Sequence, residues 1–456
     1  MLTKNKALTC RVEAFGAGGE GICKPEGQVL FVPFALPGEL VSVRVEKSLK
    51  THAFGKLLEV LEPSPMRAQP PCPYYYRCGG CSGQHMHYEA QKGFKRQAVV
   101  DCMTRIGGLG QGFEIAETSG MEVPWRYRNK TALPLAAING EAAAGYYAPR
   151  SHRLIPVASC LIANSASDIT AAAVLLWMKE FAVLPYQEDD NTGLVRHIIT
   201  RTNDRGESMV TLAVNGHDIP HRNKLISALQ EALPGLVSVC ITSQESGGNV
   251  ILGESFRTLW GSPTLTDRIS GLEFELSPLS FFQVNREICE KMYSYALHEA
   301  GLCESDCLID LYSGIGTISL LAAKNCRRVI GIELSPAAVA DAKQNAQRNS
   351  IGHTVFIQGP AEDILPELIQ SGVQADVVIL DPPRKGTHPA VLEAIAKAMP
   401  RRIIYISCHP ASQARDAALL TGLGYQAVKA QPFDMFCQTA QVETVLTMSR
   451  IEKQKA

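Results

Sequence analysis

The chain has 456 residues and a formal net charge of −1, with 46% apolar and 20% charged residues. That length predicts two or three domains at about 150 residues each, and the composition excludes disordered, fibrous and collagen-like classes. No run approaches about 18 uninterrupted apolar residues, and MLTKNKALTC at the start lacks a signal-peptide core. A cytoplasmic location with no membrane association is therefore expected. In that compartment the fourteen cysteines read as thiols, metal ligands or a nucleophile rather than as disulfides.

From 9 to 60 short β-like runs (TCRVEAF, QVLFVPF, LVSVRVEK, FGKLLEVL) alternate with glycine turns such as GAGGEG. Four or five such strands predict a small barrel of the oligonucleotide-binding kind. The stretch resembles a TRAM domain, an RNA-binding barrel attached to RNA-modifying enzymes. The proline-rich EPSPMRAQPPCP after it marks a boundary, so domain one is expected over 1–63.

Next comes Cys72-x5-Cys78-x2-Cys81 within CPYYYRCGGCSGQH. Thiolates this close converge readily on one metal centre, and the glycines let the backbone wrap it. Zinc and an iron–sulfur cluster both suit the spacing, and either wants a fourth ligand. His85, Cys102 and Cys160 are the candidates. The spacing is not the C-x3-C-x2-C of radical enzymes that cleave S-adenosylmethionine. Between 66 and 160 eleven Lys/Arg stand against six Asp/Glu, a net of +5 that leaves −6 for the rest. Tyr74, Tyr75, Tyr76, Trp125, Tyr127, Tyr146 and Tyr147 are interleaved with them. A solvated face has such a charge pattern, but so does a surface that contacts phosphates and stacks on bases.

A helix-like segment at 88–106 carries Lys92, Lys95, Arg96 and Arg105. From 125 to 253 strand-like runs (TALPLAAI, LVRHIITRT, MVTLAVN, LVSVCITS, NVILG) alternate with two amphipathic helical stretches, an α+β unit. The central domain is expected over 64–275.

The last third, 276–456, changes character. LIDLYSGIGTISLLAA, RRVIGIE, HTVFIQ, ADVVILD and RRIIYIS alternate with helix-like segments, which predicts an α/β fold with a doubly wound, Rossmann-like sheet. YQAVKAQPF and AQVETVLTM then close the chain as an antiparallel hairpin. Asp310 to Gly316 is a strand running into a glycine turn and a helix, where a ligand can approach the backbone. Glu333 ends the next strand, placed to accept from ribose hydroxyls. Ser319 stands where a dinucleotide fingerprint has its third glycine, which favours S-adenosylmethionine over NAD.

Two strands end in chemistry: Asp381-Pro382-Pro383-Arg384 and Ser407-Cys408-His409-Pro410. In such sheets both motifs fall on the ligand side. The first resembles the D-P-P-Y of amino-methylating enzymes, but Arg384 replaces the aromatic that stacks on the target base. A strand-end cysteine suits carbon methylation instead. The C5 of uracil is a poor nucleophile until a thiolate adds to C6, and a base must then remove the C5 proton. The thiol needs an activating environment, because a free one is only a few per cent ionised at pH 7.

Taken together, CGGCSGQH, YRNK, FFQVN, DLYSGIG, GIE, DPPRKG, SCHP and VETV resemble the RNA uracil-5-methyltransferases of the tRNA/23S rRNA m5U family over nearly the whole chain. The resemblance implies Cys408 as nucleophile and Glu443 as proton-abstracting base. It implies Gln283, Tyr312, Glu333 and Asp381 as contacts to S-adenosylmethionine, and it assigns Cys72, Cys78, Cys81 and Cys160 to a [4Fe-4S] cluster. A cluster joined to a barrel resembles the 23S rRNA enzymes more than the tRNA enzyme, so 23S rRNA is the expected partner and tRNA the alternative. A monomer is expected. A non-catalytic RNA-binding protein is the rival of a different class. The family also implies that the helix near 88–118 packs with the catalytic domain. This chain departs from the usual pattern at His409, where Asn is commoner, and at Tyr312-Ser313, where Phe-Cys is usual.

Overall fold

The computed structural model describes residues 2–110, 113–248 and 250–451. The first sheet runs in the order Ala7–Arg11, Leu40–Ser48, His52–Glu62, Val29–Pro33, Glu20–Cys23, Ala14–Phe15. Its two edge strands are nearly continuous in the chain, so the sheet closes on itself as a barrel. Period-two alternation turns Val41, Val43 and Val45 inward, against Cys23, Leu30 and Val32. A buried carboxylate ties the barrel to the start of the central region. Glu39 accepts from the Leu36 amide at 2.8 Å, from the Ser64 amide at 3.3 Å and from Arg67 Nη2 at 2.7 Å. Burial alone would raise this carboxyl, but Arg67 and the amides outweigh it and hold it below its ordinary value.

The second sheet runs Leu154–Pro156, Glu141–Tyr147, Lys130–Ile138, Val195–Thr202, Ser208–Val214, Leu236–Ser243, Arg257–Gly261. Helices Ser165–Glu180 and Arg222–Ala232 cover one face, packing Val174, Trp177, Leu225 and Leu229 on Ile198, Leu212 and Val239. A short hairpin, Leu265–Ile269 with Leu272–Leu276, leads into the third sheet.

That sheet runs Thr354–Gln358, Arg328–Glu333, Cys307–Leu311, Val377–Leu380, Arg402–Ser407, Glu443–Arg450, Tyr425–Phe433, Glu114–Ile115. The first five strands are parallel and Glu443–Arg450 runs antiparallel to its neighbours. Runs such as VVIL are buried along their whole length, as expected where helices cover both faces. Two apolar cores flank the sheet accordingly. The expected Rossmann-like sheet, amino-terminal barrel and central α+β region are all present. Strand order reverses between Cys307–Leu311 and Val377–Leu380, which opens a crevice at their carboxyl ends. Three helices begin with proline just past a strand or loop: Pro336–Arg348, Pro389–Ala398 and Pro410–Gly422. A fixed φ and a missing N–H suit proline to that first position.

Helix Tyr88–Arg105 lies against Pro410–Gly422, and Glu114–Ile115 adds a parallel strand to Tyr425–Phe433. The Lys95 ammonium is buried against Asp434 and donates to the Phe436 carbonyl at 3.1 Å. Tyr88 donates to the same carboxylate at 2.7 Å. No helix of the described residues is long and apolar enough to cross a membrane.

Candidate active site

The crevice begins at the turn after Cys307–Leu311. Tyr312, Gly314 and Gly316 have φ of 65°, 54° and 84°, a conformation that favours glycine and strains the tyrosine. At Gly316 a Cβ would also meet the Phe356 ring at 2.9 Å. The amides of Tyr312 and Ser313 donate to the Ile332 carbonyl, so the turn is bound to the next strand. Glu333 ends that strand, and its carboxylate accepts from the Gly314 amide at 3.0 Å and the Ser335 amide at 2.8 Å. Beneath the turn, burial pushes Asp310 up to about 7.

The far wall is the loop 381–388, held down by the helix after Cys408. Asp416 is fully buried and accepts from the Thr387 amide at 2.8 Å and the Tyr405 hydroxyl at 2.6 Å. Ser412 Oγ donates to the Arg384 carbonyl at 3.1 Å. Cys408 comes directly after strand Arg402–Ser407, and Glu443 opens the neighbouring antiparallel strand, one residue from the pair Ser407–Thr444. Gln413 is buried and donates to the carbonyls of Tyr405 at 2.7 Å and Thr444 at 3.0 Å. It thereby fixes the two strand ends relative to each other. His409 caps helix Pro410–Gly422, its Nδ1 accepting from the Ser412 amide at 3.2 Å.

One cleft of ≈1500 Å³ collects Gln283, Tyr312, Glu333, Asp381, Cys408 and Glu443 on its walls. These are the six residues that the sequence nominated for cofactor contact and catalysis. Burial, then the nearby Asp381, pushes Glu443 well above its ordinary value. Burial pushes Asp381 up to about 7. The Cys408 thiol is raised as well, by burial first and then by Glu443. Arg384 opposes the rise at both Glu443 and Cys408. Sequence reasoning noticed Arg384 only as the replacement for an aromatic. Its place beside the thiol depends on how the loop folds back, which no spacing reveals. Gln413 and Asp416 were also missed, being ordinary helix residues until the packing is seen.

The cysteines of the amino-terminal half lie elsewhere. Cys72, Cys78, Cys81 and Cys160 are half-buried thiols without disulfides. Burial raises Cys81 to about 12, and Cys160, Cys78 and Cys72 all add to the rise, so the four share one locality. Among the described residues, no three such side chains stand close enough to hold a single metal ion. A tetrahedral zinc site, with Zn–S of about 2.3 Å, would require that. The donor set nevertheless suits a larger sulfur-bridged centre. The Gly80 amide donates to Cys78 Sγ at 3.4 Å, and a Cβ at Gly79 would meet the Tyr147 carbonyl at 2.9 Å, so the backbone wraps closely there. His85 is engaged otherwise, its Nδ1 sharing a hydrogen bond of 2.7 Å with the Tyr75 hydroxyl. Cys102 packs against the carboxy-terminal core. Of the three candidates for a fourth ligand, Cys160 is the one beside the trio.

Residues 264–451 match the tRNA (Uracil-5-)-methyltransferase family, and residues 2–58 match the TRAM domain. An uncharacterized RNA methyltransferase of Clostridium tetani is 42% identical, over 98% of this chain and 97% of its own. An uncharacterized RNA methyltransferase of Halalkalibacterium halodurans is 39% identical, over 98% of each. Among solved structures, the Pyrococcus abyssi tRNA (uracil-54, C5)-methyltransferase in complex with S-adenosyl-L-homocysteine has the same fold. Its TM-score is 0.76 at 24% identity, covering 96% of this chain and 99% of that one. This chain belongs to the RNA uracil-5-methyltransferase family, as an S-adenosylmethionine-dependent RNA methyltransferase with a TRAM domain.

Proposed function

We propose that the protein methylates C5 of a uridine in 23S rRNA through a covalent adduct between Cys408 and the uracil. The observation that carries this reading is the meeting of Cys408 and Glu443, from adjacent strand ends, in the cleft that also holds the glycine turn and Glu333. The Cys408 thiolate adds to C6, and the electron pair shifts to make C5 nucleophilic. C5 then takes the methyl group from the sulfonium, leaving S-adenosylhomocysteine. Glu443 removes the C5 proton, the C5–C6 double bond reforms and the thiolate departs. Gln283, Tyr312, Glu333 and Asp381 hold the donor. A sulfonium cation in the cleft favours the ionised forms of Asp381, Glu443 and Cys408, so the reactive charges assemble when the donor is bound.

Cys72, Cys78, Cys81 and Cys160 are proposed to hold a [4Fe-4S] cluster that braces the basic, aromatic region facing RNA. An absorbance band in the visible range from anaerobically purified protein, lost in Cys81→Ala, is the expected result. Colourless protein would remove the cluster, and ligand variants with normal RNA affinity would remove its bracing role. The four cysteines and the barrel support 23S rRNA, and the protein is proposed to act as a cytoplasmic monomer. The tRNA specificity of the Pyrococcus abyssi enzyme supports tRNA as the second reading. Incubation with labelled S-adenosylmethionine and separate 23S rRNA and tRNA transcripts decides between them, and transfer to tRNA alone overturns the first. Cys408→Ala should abolish transfer, and Glu443→Gln should accumulate a protein–RNA adduct resistant to denaturing electrophoresis. An active Cys408→Ala would sink the covalent mechanism.

A further inference from the structure

Two cations of the central sheet face each other, and among the described residues neither forms an ion pair with a carboxylate. Lys130 and Arg201 stand directly opposite on neighbouring antiparallel strands, a placement that costs stability for like charges. Arg201 is 2% exposed. Its Nη2 donates to the Ser280 carbonyl at 2.5 Å, while Nη1 has no partner among the described residues. Burial lowers this guanidinium to about 10 against the pull of Asp267, whose carboxylate is engaged by Arg286 Nη2 at 2.6 Å. Among the described residues Lys130 forms no ion pair, and burial first, then Arg201, push its ammonium down to about 7. Part of the lysine stays open to solvent. Beside it, Asn129 Oδ1 is also buried and unpartnered.

The pair sits against the cleft. Arg128 bridges Asn285 in antiparallel register, the Asn129 amide donates to the Val284 carbonyl at 2.9 Å, and Asn129 Nδ2 donates to the Gln283 carbonyl at 2.9 Å. This register brings Lys130 abreast of Gln283. Arg201 holds Ser280, and both Ser280 and Gln283 line the cleft. A desolvated, unbalanced cation pair weakens the free protein, so its natural complement is an anion that arrives with a ligand. A guanidinium fork beside an ammonium matches the oxygens of a phosphodiester.

We propose that Lys130 and Arg201 form a seat for one backbone phosphate of the RNA, close to the uridine being modified. The proposal rests on the RNA-substrate reading above. Phosphate is favoured over the carboxylate of the methyl donor because both cations belong to the central sheet and neither lines the cleft itself. The test is Lys130→Met in the full-length protein, with Lys130→Arg as companion. Removing an unbalanced buried charge should leave the melting temperature unchanged or higher. Affinity for the transcript that the wild type methylates should fall about tenfold, the loss of one charge-assisted contact. The slope of log affinity against log salt should become shallower by about 0.7. Lys130→Arg should restore both, and affinity for S-adenosylmethionine should stay at the wild-type value. A wild-type RNA affinity and salt slope in Lys130→Met would overturn the phosphate seat, as would a lowered melting temperature. Weakened S-adenosylmethionine binding with unchanged RNA binding would overturn it in favour of a carboxylate seat. A wild-type protein that binds neither transcript would sink the substrate reading, and this proposal with it.

Discussion

Arg384 and Glu443 act on the Cys408 thiol in opposite senses, the first drawing its proton off and the second holding it on. Alkylation by iodoacetamide reads that balance, because only the thiolate reacts. Arg384→Met should slow alkylation of Cys408 at pH 7.5 by several-fold, and Glu443→Gln should accelerate it; equal rates in all three proteins would show that neither side chain governs the thiol. Burial pushes Asp381 up to about 7, against about 3.9 for an unfolded chain. Its folded value is raised, so the contribution it makes is complete below pH 4 and disappears as pH climbs through 7. The protein should therefore lose urea resistance between pH 4 and pH 7, and Asp381→Asn should reduce that loss, the remainder belonging to the other buried acids Asp310 and Glu443. An unchanged pH profile in the variant would contradict the assignment. Cys408 and Asp381 were legible in the sequence because each ends an apolar run. Glu443 was not, since an acid in a closing hairpin has no distinguishing spacing; the family resemblance alone nominated it.

Elements were legible where they had a strong local signal. Runs of β-branched residues announced the parallel strands. Anything held by partners distant in sequence escaped. Glu114–Ile115 is two residues long and becomes a strand only because Tyr425–Phe433 offers an edge. Helix Tyr88–Arg105 has basic residues along its length, yet Lys95 is not an RNA contact: it is 3% exposed and buried against Asp434. Removing one partner of a buried ion pair strands the other charge, at a cost of about 3–5 kcal/mol. Lys95→Ala should lose stability on that scale in urea titration. A double replacement, Lys95→Met with Asp434→Leu, should lose far less, and equal losses would mean that the helix is held by its apolar contacts alone.

Across the whole molecule, an RNA-type barrel, a central sheet and a nucleotide-type sheet are joined by polar ties and by a small apolar cluster of Tyr127, Ile162 and Cys437 rather than by one continuous core. Glu39 and Arg67 clamp the barrel to the segment after it, while YRNK and FFQVN join the central sheet to the cleft through backbone hydrogen bonds. Those two motifs lie far apart in the sequence, so their meeting could not be read from either one. The bond between Lys95 and Asp434 spans 339 residues, and Glu443 comes later still. On a ribosome adding about 5–20 residues per second, the early helix waits from about 17 to about 70 s for its acid. The ion pair that buries the early helix thus closes only after most of the third sheet has been synthesised, and a nascent chain stalled before Asp434 holds Lys95 without its acid.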